Sequence, residues 1–328
     1  MELGVVGTGL MVDMILPHMA GWGVDVRALC GSPRSAEKVQ ATADEFDIER
    51  RYTDYRELVR DPKIDTVYVA VPNNLHREVV LAALEAGKHV VCEKPLASNA
   101  REAQELADRA DDLGLFLWEA ATTTRQPNFL LVRDELLGRI SDIKIAIVNF
   151  SQYSSRYDRF KAGDIAPAFD PAKSGGALMD LGIYCISYVI GLFGEPAAVR
   201  YRANVERGID TSGIVDLDYD GFKVVCICAK DCGAPCGIQI QGTRGYIMST
   251  SAPSICGAVT LHENDGSEQS FDRSCKTWWE AEFRTFMRQL DEGDLAGCRA
   301  QMETSLAVAR TLNAARLSAG VVFPADKV

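Results

Sequence analysis

Residues 3–12 read LGVVGTGLMV: an apolar run ends in two glycines one residue apart, and an apolar helical period takes over at residues 11–20. Gly7 and Gly9 let the backbone leave a strand sharply and approach a pyrophosphate, which then rests on the positive end of the next helix. Thr8, Leu10 and Met11 complete the same turn and belong to the candidate dinucleotide site. A lone Gly-x-Gly is a weak signal, but here it closes a first strand and opens a helix, the context the motif requires. Val12 stands where a third Gly or Ala is usual, so strand and helix are expected to stand slightly further apart.

Outward from this turn the chain keeps one rhythm to about residue 118. Strand-like runs (LGVVG, VDVRALC, TVYVAVP, HVVCEK, LFLW) alternate with helical ones over 11–20, 35–46, 54–60, 75–87 and 99–113. That order predicts an α/β Rossmann domain, a doubly wound parallel sheet, over residues 1–120. Residues 121–328 read differently. Helices over 128–137 and 176–192 accompany longer alternating runs (ISDIKIAIVNFSQY, AAVRYRANVE, SGIVDLDY, FKVVCICAK, GIQIQGTRGYIMST, GAVTLHEN). These predict an α+β domain with a large open, mostly antiparallel sheet and helices on one face. Helical stretches at 278–290 and 295–317 close the chain; Trp278 and Trp279 are expected to staple the former to the core, and the last helix is a candidate to pack back on the first domain.

With 328 residues, 47% of them hydrophobic, two domains are the natural division. The net charge of -11 and a pI near 5.0 argue against nucleic acid or an anionic membrane as partner. No run of about 18 apolar residues is present, and the start MELGVVGTGL lacks the flank and cleavage site of a signal peptide; a cytoplasmic location is expected. The ten cysteines read as small buried hydrophobes kept reduced. Cys226, Cys228, Cys232 and Cys236 match no paired zinc spacing, and no metal is expected.

Two further stretches carry chemistry. VCEKPLASNA (91–100) puts Glu93, Lys94 and Pro95 where an apolar strand runs out, and in an open parallel sheet ligands bind at strand tips. The second strand ends in Cys30, Gly31, Ser32, Pro33 and Arg34, without the Asp or Glu that takes the ribose hydroxyls of NAD about 20 residues beyond the glycines. A hydroxyl and a guanidinium suit a 2′-phosphate, so Ser32 and Arg34 favour NADP(H), with NAD(H) as the second choice. Asp25 lies too early on the strand to serve.

The Gly7-Thr8-Gly9 turn, Val71-Pro72-Asn73-Asn74-Leu75-His76, Glu93-Lys94-Pro95, and GGALMDLGIY at 175–184 occur in this order. Together they resemble the Gfo/Idh/MocA superfamily of glucose-fructose oxidoreductase, inositol dehydrogenase and rhizopine catabolism, its dimeric dihydrodiol dehydrogenase branch above all. The resemblance spans nearly the whole chain. It implies that Asn73 and His76 line the nicotinamide ribose, that Val71, Pro72 and Glu93 belong to the cofactor site, and that Lys94 reaches the nicotinamide and the reacting oxygen. It also implies a cis bond before Pro95. A strand-tip ammonium partly desolvated by cofactor would stabilise a developing alkoxide.

Asp180 and Tyr184 are four residues apart and share a face if helical. Many relatives carry histidine where this chain has Tyr184. A tyrosine beside a lysine can act as general acid to a carbonyl, since the cation stabilises the phenolate left behind. The catalytic candidates are therefore Tyr184 as acid/base, Lys94 tuning it, and Asp180 orienting substrate or lysine; the bland alternative for Tyr184 is a core aromatic. Thr122, Thr123 and Arg125 follow the last strand of the first domain, where the family commonly has aromatic and arginine residues facing substrate. Tyr153, Arg156, Tyr157 and Asp158 form a polar aromatic loop that would close over a polyol or dihydrodiol. The expected activity is NADP(H)-dependent hydride transfer to or from a sugar, polyol, vicinal diol or related carbonyl, by a homodimer or homotetramer paired through the second sheet. The alternatives are a non-catalytic dinucleotide-binding regulator of the same fold, an NAD-dependent glycosidase, and a biliverdin-reductase-like enzyme.

Overall fold

The computed structural model describes residues 1–327, which divide into two units: Met1–Ala120 with Phe283–Glu303, and Ala121–Glu282 with the chain from Thr304 onward. The first alternates strand and helix as β1 (Glu2–Val6), α1 (Leu10–Met19), β2 (Asp25–Cys30), α2 (Ala36–Glu45), β3 (Arg50–Tyr52), α3 (Tyr55–Leu58), β4 (Thr66–Val69), α4 (His76–Glu85), β5 (His89–Glu93), α5 (Ala100–Leu113) and β6 (Leu117–Ala120). All strands are parallel, in the order β3-β2-β1-β4-β5-β6. That is the doubly wound order in which ligands gather at the carboxyl ends of the central strands. Every residue of β4 is buried, as a sheet covered on both faces demands. Helix α5 shows the local logic: the Asn99 side chain accepts from the Glu102 N–H at 2.9 Å, and Gly114 ends the helix at φ 65°.

The second unit begins with α6 (Pro127–Leu131), which widens at once into a π-helical turn over Val132–Leu136. It continues through β7 (Ile143–Ser151), α7 (Tyr157–Lys161), α8 (Ile183–Phe193), β8 (Ala198–Glu206), β9 (Ile209–Tyr219), β10 (Phe222–Ala229), β11 (Gly237–Gly242), β12 (Gly245–Ser249), β13 (Val259–Glu263) and β14 (Glu268–Phe271). Its eight strands run β14-β13-β12-β11-β7-β10-β9-β8; β7 and β10 are parallel and every other pair is antiparallel. The stretch Pro171–Phe193 is long and apolar enough to cross a membrane by composition, yet 67% of its most apolar window is buried inside the protein. Its residues Leu178, Ile183 and Ile186 belong to the core built on the sheet.

Two closing helices, α9 (Glu280–Glu292) and α10 (Leu295–Ser318), are divided between the units. Phe283 stacks on Trp22 and meets the edge of Tyr68, Phe286 packs on Trp118, and the Trp118 indole N–H donates to Gln289 Oε1 at 2.8 Å. Trp279 is buried against the edge of Trp278, ring centroids 4.9 Å apart. All ten cysteines are free; Cys226 and Cys228 are buried on one face of β10, while Cys232 is exposed. Among the described residues no group of three or more His, Cys, Asp or Glu is placed to hold a metal.

Candidate active site

The turn after β1 shows why its glycines are there. Gly7 has φ +134°, and a Cβ on it would lie 2.2 Å from the Ala70 carbonyl oxygen, so no side chain fits. Gly9 differs: its φ is -83°, and beyond its own chain neighbours no described atom lies within 4 Å of where its Cβ would stand. The protein's own packing gives no reason for that second glycine, whereas a ligand backbone coming close does. None of the described side chains caps the start of α1, which leaves its first N–H groups for an anion. Leu10 is exposed and Met11 half-buried there, while Val12 is buried in the core.

At the tip of β2, Ser32 and Arg34 are exposed, and Ser32 shares a 3.2 Å hydroxyl contact with Ser35. Asp25 pairs with Arg27 at the far end of the same strand. Burial pushes the Cys30 thiol up to about 12, with the carboxylates of Asp54 and Glu57 adding to it. Acidic charge near this tip thus comes from α3, and Asp54 is already engaged as its cap, accepting from the Arg56 N–H at 2.9 Å.

The tips of β4 and β5 are locked together. His76 is fully buried, with Nδ1 2.8 Å from the Pro95 carbonyl and Nε2 2.9 Å from the Val71 carbonyl. Burial first, then the Lys94 charge, hold its pKa below the ordinary histidine value against these two carbonyls. Glu93 points inward, accepting from the Tyr68 hydroxyl at 2.6 Å, and burial raises its pKa. Glu119 Oε1 takes the Leu96 N–H at 2.8 Å, and the Lys94–Pro95 bond is cis. Lys94 itself stays half-buried, as do Val71 and Asn73, and Pro72 is exposed. Glu93 and His76 therefore shape the lysine turn from beneath.

In the second unit the glycine-rich segment is equally constrained. Gly176 has φ +109°, and a Cβ there would stand 2.1 Å from Asp210 Oδ1. Asp210 is buried; its Oδ2 accepts the Leu178 N–H at 2.7 Å and the Tyr201 hydroxyl at 2.9 Å, while burial raises its pKa. The segment after it is not the regular helix its spacing predicts. Leu178–Gly182 forms a π-helical turn that becomes α8 at Ile183, so Asp180 sits on a widened turn, a distortion frequent at functional sites. Tyr184 is half-buried, its ring tilted over Phe150 at 5.8 Å. Lys230 Nζ donates to Asp180 Oδ2 at 2.6 Å.

The remaining candidates scatter. Thr122 donates to the Ser254 carbonyl at 2.8 Å, Thr123 is fully buried, and Arg125 is buried with Nη1 on the Ala121 carbonyl. Tyr157 turns into the core, donating to Glu206 at 2.6 Å, a contact that raises its pKa to about 12. Tyr153 is exposed and bonded to Asp158, and Arg156 is half-buried. Asp210 and Lys230 are the residues sequence reasoning missed. The one signal for Lys230 is its position at the end of the apolar run VVCICAK, the same kind of strand-tip placement that marks Lys94.

A parallel sheet in this order with a glycine turn at its first strand defines a dinucleotide-binding domain, and known protein families and relatives say which kind. Residues 1–120 match the oxidoreductase family with an NAD-binding Rossmann fold, and residues 131–248 match the GFO/IDH/MocA C-terminal domain. The chain is 33% identical over 332 residues to the scyllo-inositol 2-dehydrogenase (NADP(+)) IolU of Bacillus subtilis (strain 168), covering 99% of each. It is 28% identical over 339 residues to the trans-1,2-dihydrobenzene-1,2-diol dehydrogenase of Mus musculus, covering 99% of this chain and 98% of that one. In fold it resembles KijD10, a 3-ketoreductase from Actinomadura kijaniata solved with NADP and TDP-benzene, at a TM-score of 0.83, 23% identity and 97% coverage of both chains. The chain belongs to the Gfo/Idh/MocA family and is an NAD(P)-dependent oxidoreductase.

Proposed function

We propose that the protein transfers hydride between NADP(H) and a carbon bearing a hydroxyl or carbonyl group on a polyol, sugar or vicinal diol. The observation that carries this reading is the pairing of an open Gly9 at the uncapped head of α1 with Lys94 presented at the tip of β5, in one sheet. The pyrophosphate would rest on Gly7, Thr8 and Gly9, with Leu10 and Met11 beside it, and Ser32 with Arg34 would take the 2′-phosphate. Bound there, the nicotinamide supplies or accepts the hydride.

The chain's own residues do the rest. Lys94, held by its buried turn, would stabilise negative charge on the substrate oxygen. Tyr184 would hold the proton at its phenolic oxygen and pass it to that oxygen during reduction, or take it during oxidation. Asp180 would bind a neighbouring hydroxyl and fix the substrate's orientation. Tyr153 and Arg156 are the candidate substrate contacts that remain accessible, whereas Thr123 and Arg125 are buried. A polyol or diol fits the inventory because two polar groups four residues apart, Asp180 on the π-helical turn and Tyr184 on α8, would address adjacent hydroxyls. The open face of the second sheet exposes Ile145, Ile214 and Tyr246, which supports association of copies through it.

The test is NADPH and NADH binding by fluorescence, followed by turnover on inositols, sugars and vicinal diols with wild type and Tyr184→Phe. Turnover that collapses in Tyr184→Phe supports the assignment. Tight NADPH binding with no turnover across the panel favours a binding-only protein.

A further inference from the structure

The second unit buries a cation for which the reaction outlined above has no use. Lys230 follows β10 directly and its side chain is 3% exposed, whereas the carboxylate it holds, on Asp180, is 37% exposed. Besides the 2.6 Å bond to Asp180 Oδ2, Nζ donates to the Ala168 carbonyl at 3.1 Å and lies 4.4 Å over the ring of Phe169. Burying an ammonium is costly unless it is closely paired, and here a carboxylate, a carbonyl and an aromatic face meet it together. Of the other titratable groups around it, Asp210 feels the Lys230 charge without a hydrogen bond to it. Asp210 on β9 binds Leu178 and Tyr201, Asp231 binds the hydroxyls of Thr211 and Ser212, and Cys228 lies two residues back on β10. Among the described residues, the one carboxylate that Lys230 hydrogen-bonds is that of Asp180, on the π-helical turn that leads into the helix carrying Tyr184.

We propose that Lys230 is a positioning residue that clamps the Asp180 carboxylate from below, setting the direction in which it accepts a substrate hydroxyl and neutralising its charge. Asp180 is then held by a lysine of its own unit. This rests on the reading that Asp180 handles substrate.

The experiment is a double-mutant cycle in the full chain with Lys230→Met and Asp180→Asn, using NADP+ and whichever polyol or diol the wild type oxidises. Lys230→Met is expected to lower kcat by about tenfold, with NADPH affinity unchanged, and to cost less than about twofold once Asp180 is already Asn. Lys230→Arg, which keeps the charge, should recover part of the loss. Equal losses from Lys230→Met in both backgrounds would overturn the clamp. A second arm needs no turnover and no stable Lys230→Met: the slowly exchanging side-chain ammonium signal of Lys230 in 15N-lysine NMR, assigned by its absence in Lys230→Arg. Its strong shift or loss in Asp180→Asn supports the clamp, and an unchanged signal overturns it. Without turnover but with that shift, the hydride-transfer reading fails and the clamp stands; with turnover and no coupling, the reverse holds.

Discussion

The imidazole of His76 holds the carbonyl of Pro95 at 2.8 Å from the opposite side of the turn that carries Lys94, while its other nitrogen faces Val71. Two carbonyls ask for two N–H donors, and a neutral ring has one. Burial nevertheless keeps the His76 pKa below the ordinary value. The unfolded chain therefore takes up a proton near pH 6.5 that the folded chain refuses, and stability present above that pH falls as pH is lowered toward the folded pKa. Urea unfolding between about pH 7.5 and 5.5 should show wild type losing stability more steeply than His76→Gln, by up to about 1.4 kcal/mol per pH unit. Parallel slopes would mean that His76 titrates normally.

The two glycines of the first turn should separate folding from binding. Gly7→Ala forces a Cβ onto the Ala70 carbonyl and should cost about 2–4 kcal/mol of unfolding free energy. Gly9→Ala enters open space, so stability should stay within about 0.5 kcal/mol while NADPH affinity drops by about tenfold or more. Unimpaired NADPH binding by Gly9→Ala would remove the dinucleotide from this turn.

Arg34 is exposed, and its replacement should leave the fold untouched. If it pairs with a 2′-phosphate, Arg34→Ala loses about 1.5–3 kcal/mol of NADPH binding, roughly tenfold to a hundredfold, with NADH affinity unchanged. Equal weakening of both nucleotides would place Arg34 elsewhere on the cofactor.

Asp210 ties the π-helical turn to β9 through the Leu178 N–H and the Tyr201 hydroxyl. Asp210→Ala leaves both donors buried without an acceptor and should cost about 2 kcal/mol or more, whereas Tyr201→Phe removes one donor and should cost about 1 kcal/mol. If the turn sets Tyr184, turnover should fall with Asp210→Ala well beyond the loss of folded protein measured by calorimetry.

Much of this architecture was legible because the strongest signals are periodic. The alternation of strand and helix and the glycine turn point to the Rossmann sheet, and VVCICAK and GIQIQG point to the second one. Two strands escaped notice. Arg50–Tyr52 and Glu268–Phe271 are short, polar edge strands, and charged residues that keep an edge from pairing with a neighbour also hide it from pattern reading. The π-helical turns are invisible for another reason: each spans only five residues, a single widened turn that is too short to set an apolar period of its own. At the candidate site, residue types could be picked out but not their direction. Glu93, His76 and Tyr157 all suit a ligand by chemistry, yet each faces inward because a partner distant in sequence, Tyr68, Pro95 or Glu206, claims its polar atoms.

The return of Phe283–Glu303 to the first unit bears on how the chain is made. A ribosome delivers the glycine turn, the lysine turn and all six parallel strands first, then the entire second sheet, and only afterwards the phenylalanines that cover Trp22, Tyr68 and Trp118. The nucleotide-binding half is thus among the first parts synthesised and among the last completed. A truncation at residue 120 would leave three large aromatic rings without their cover, so a free-standing cofactor domain cut there would be prone to aggregate.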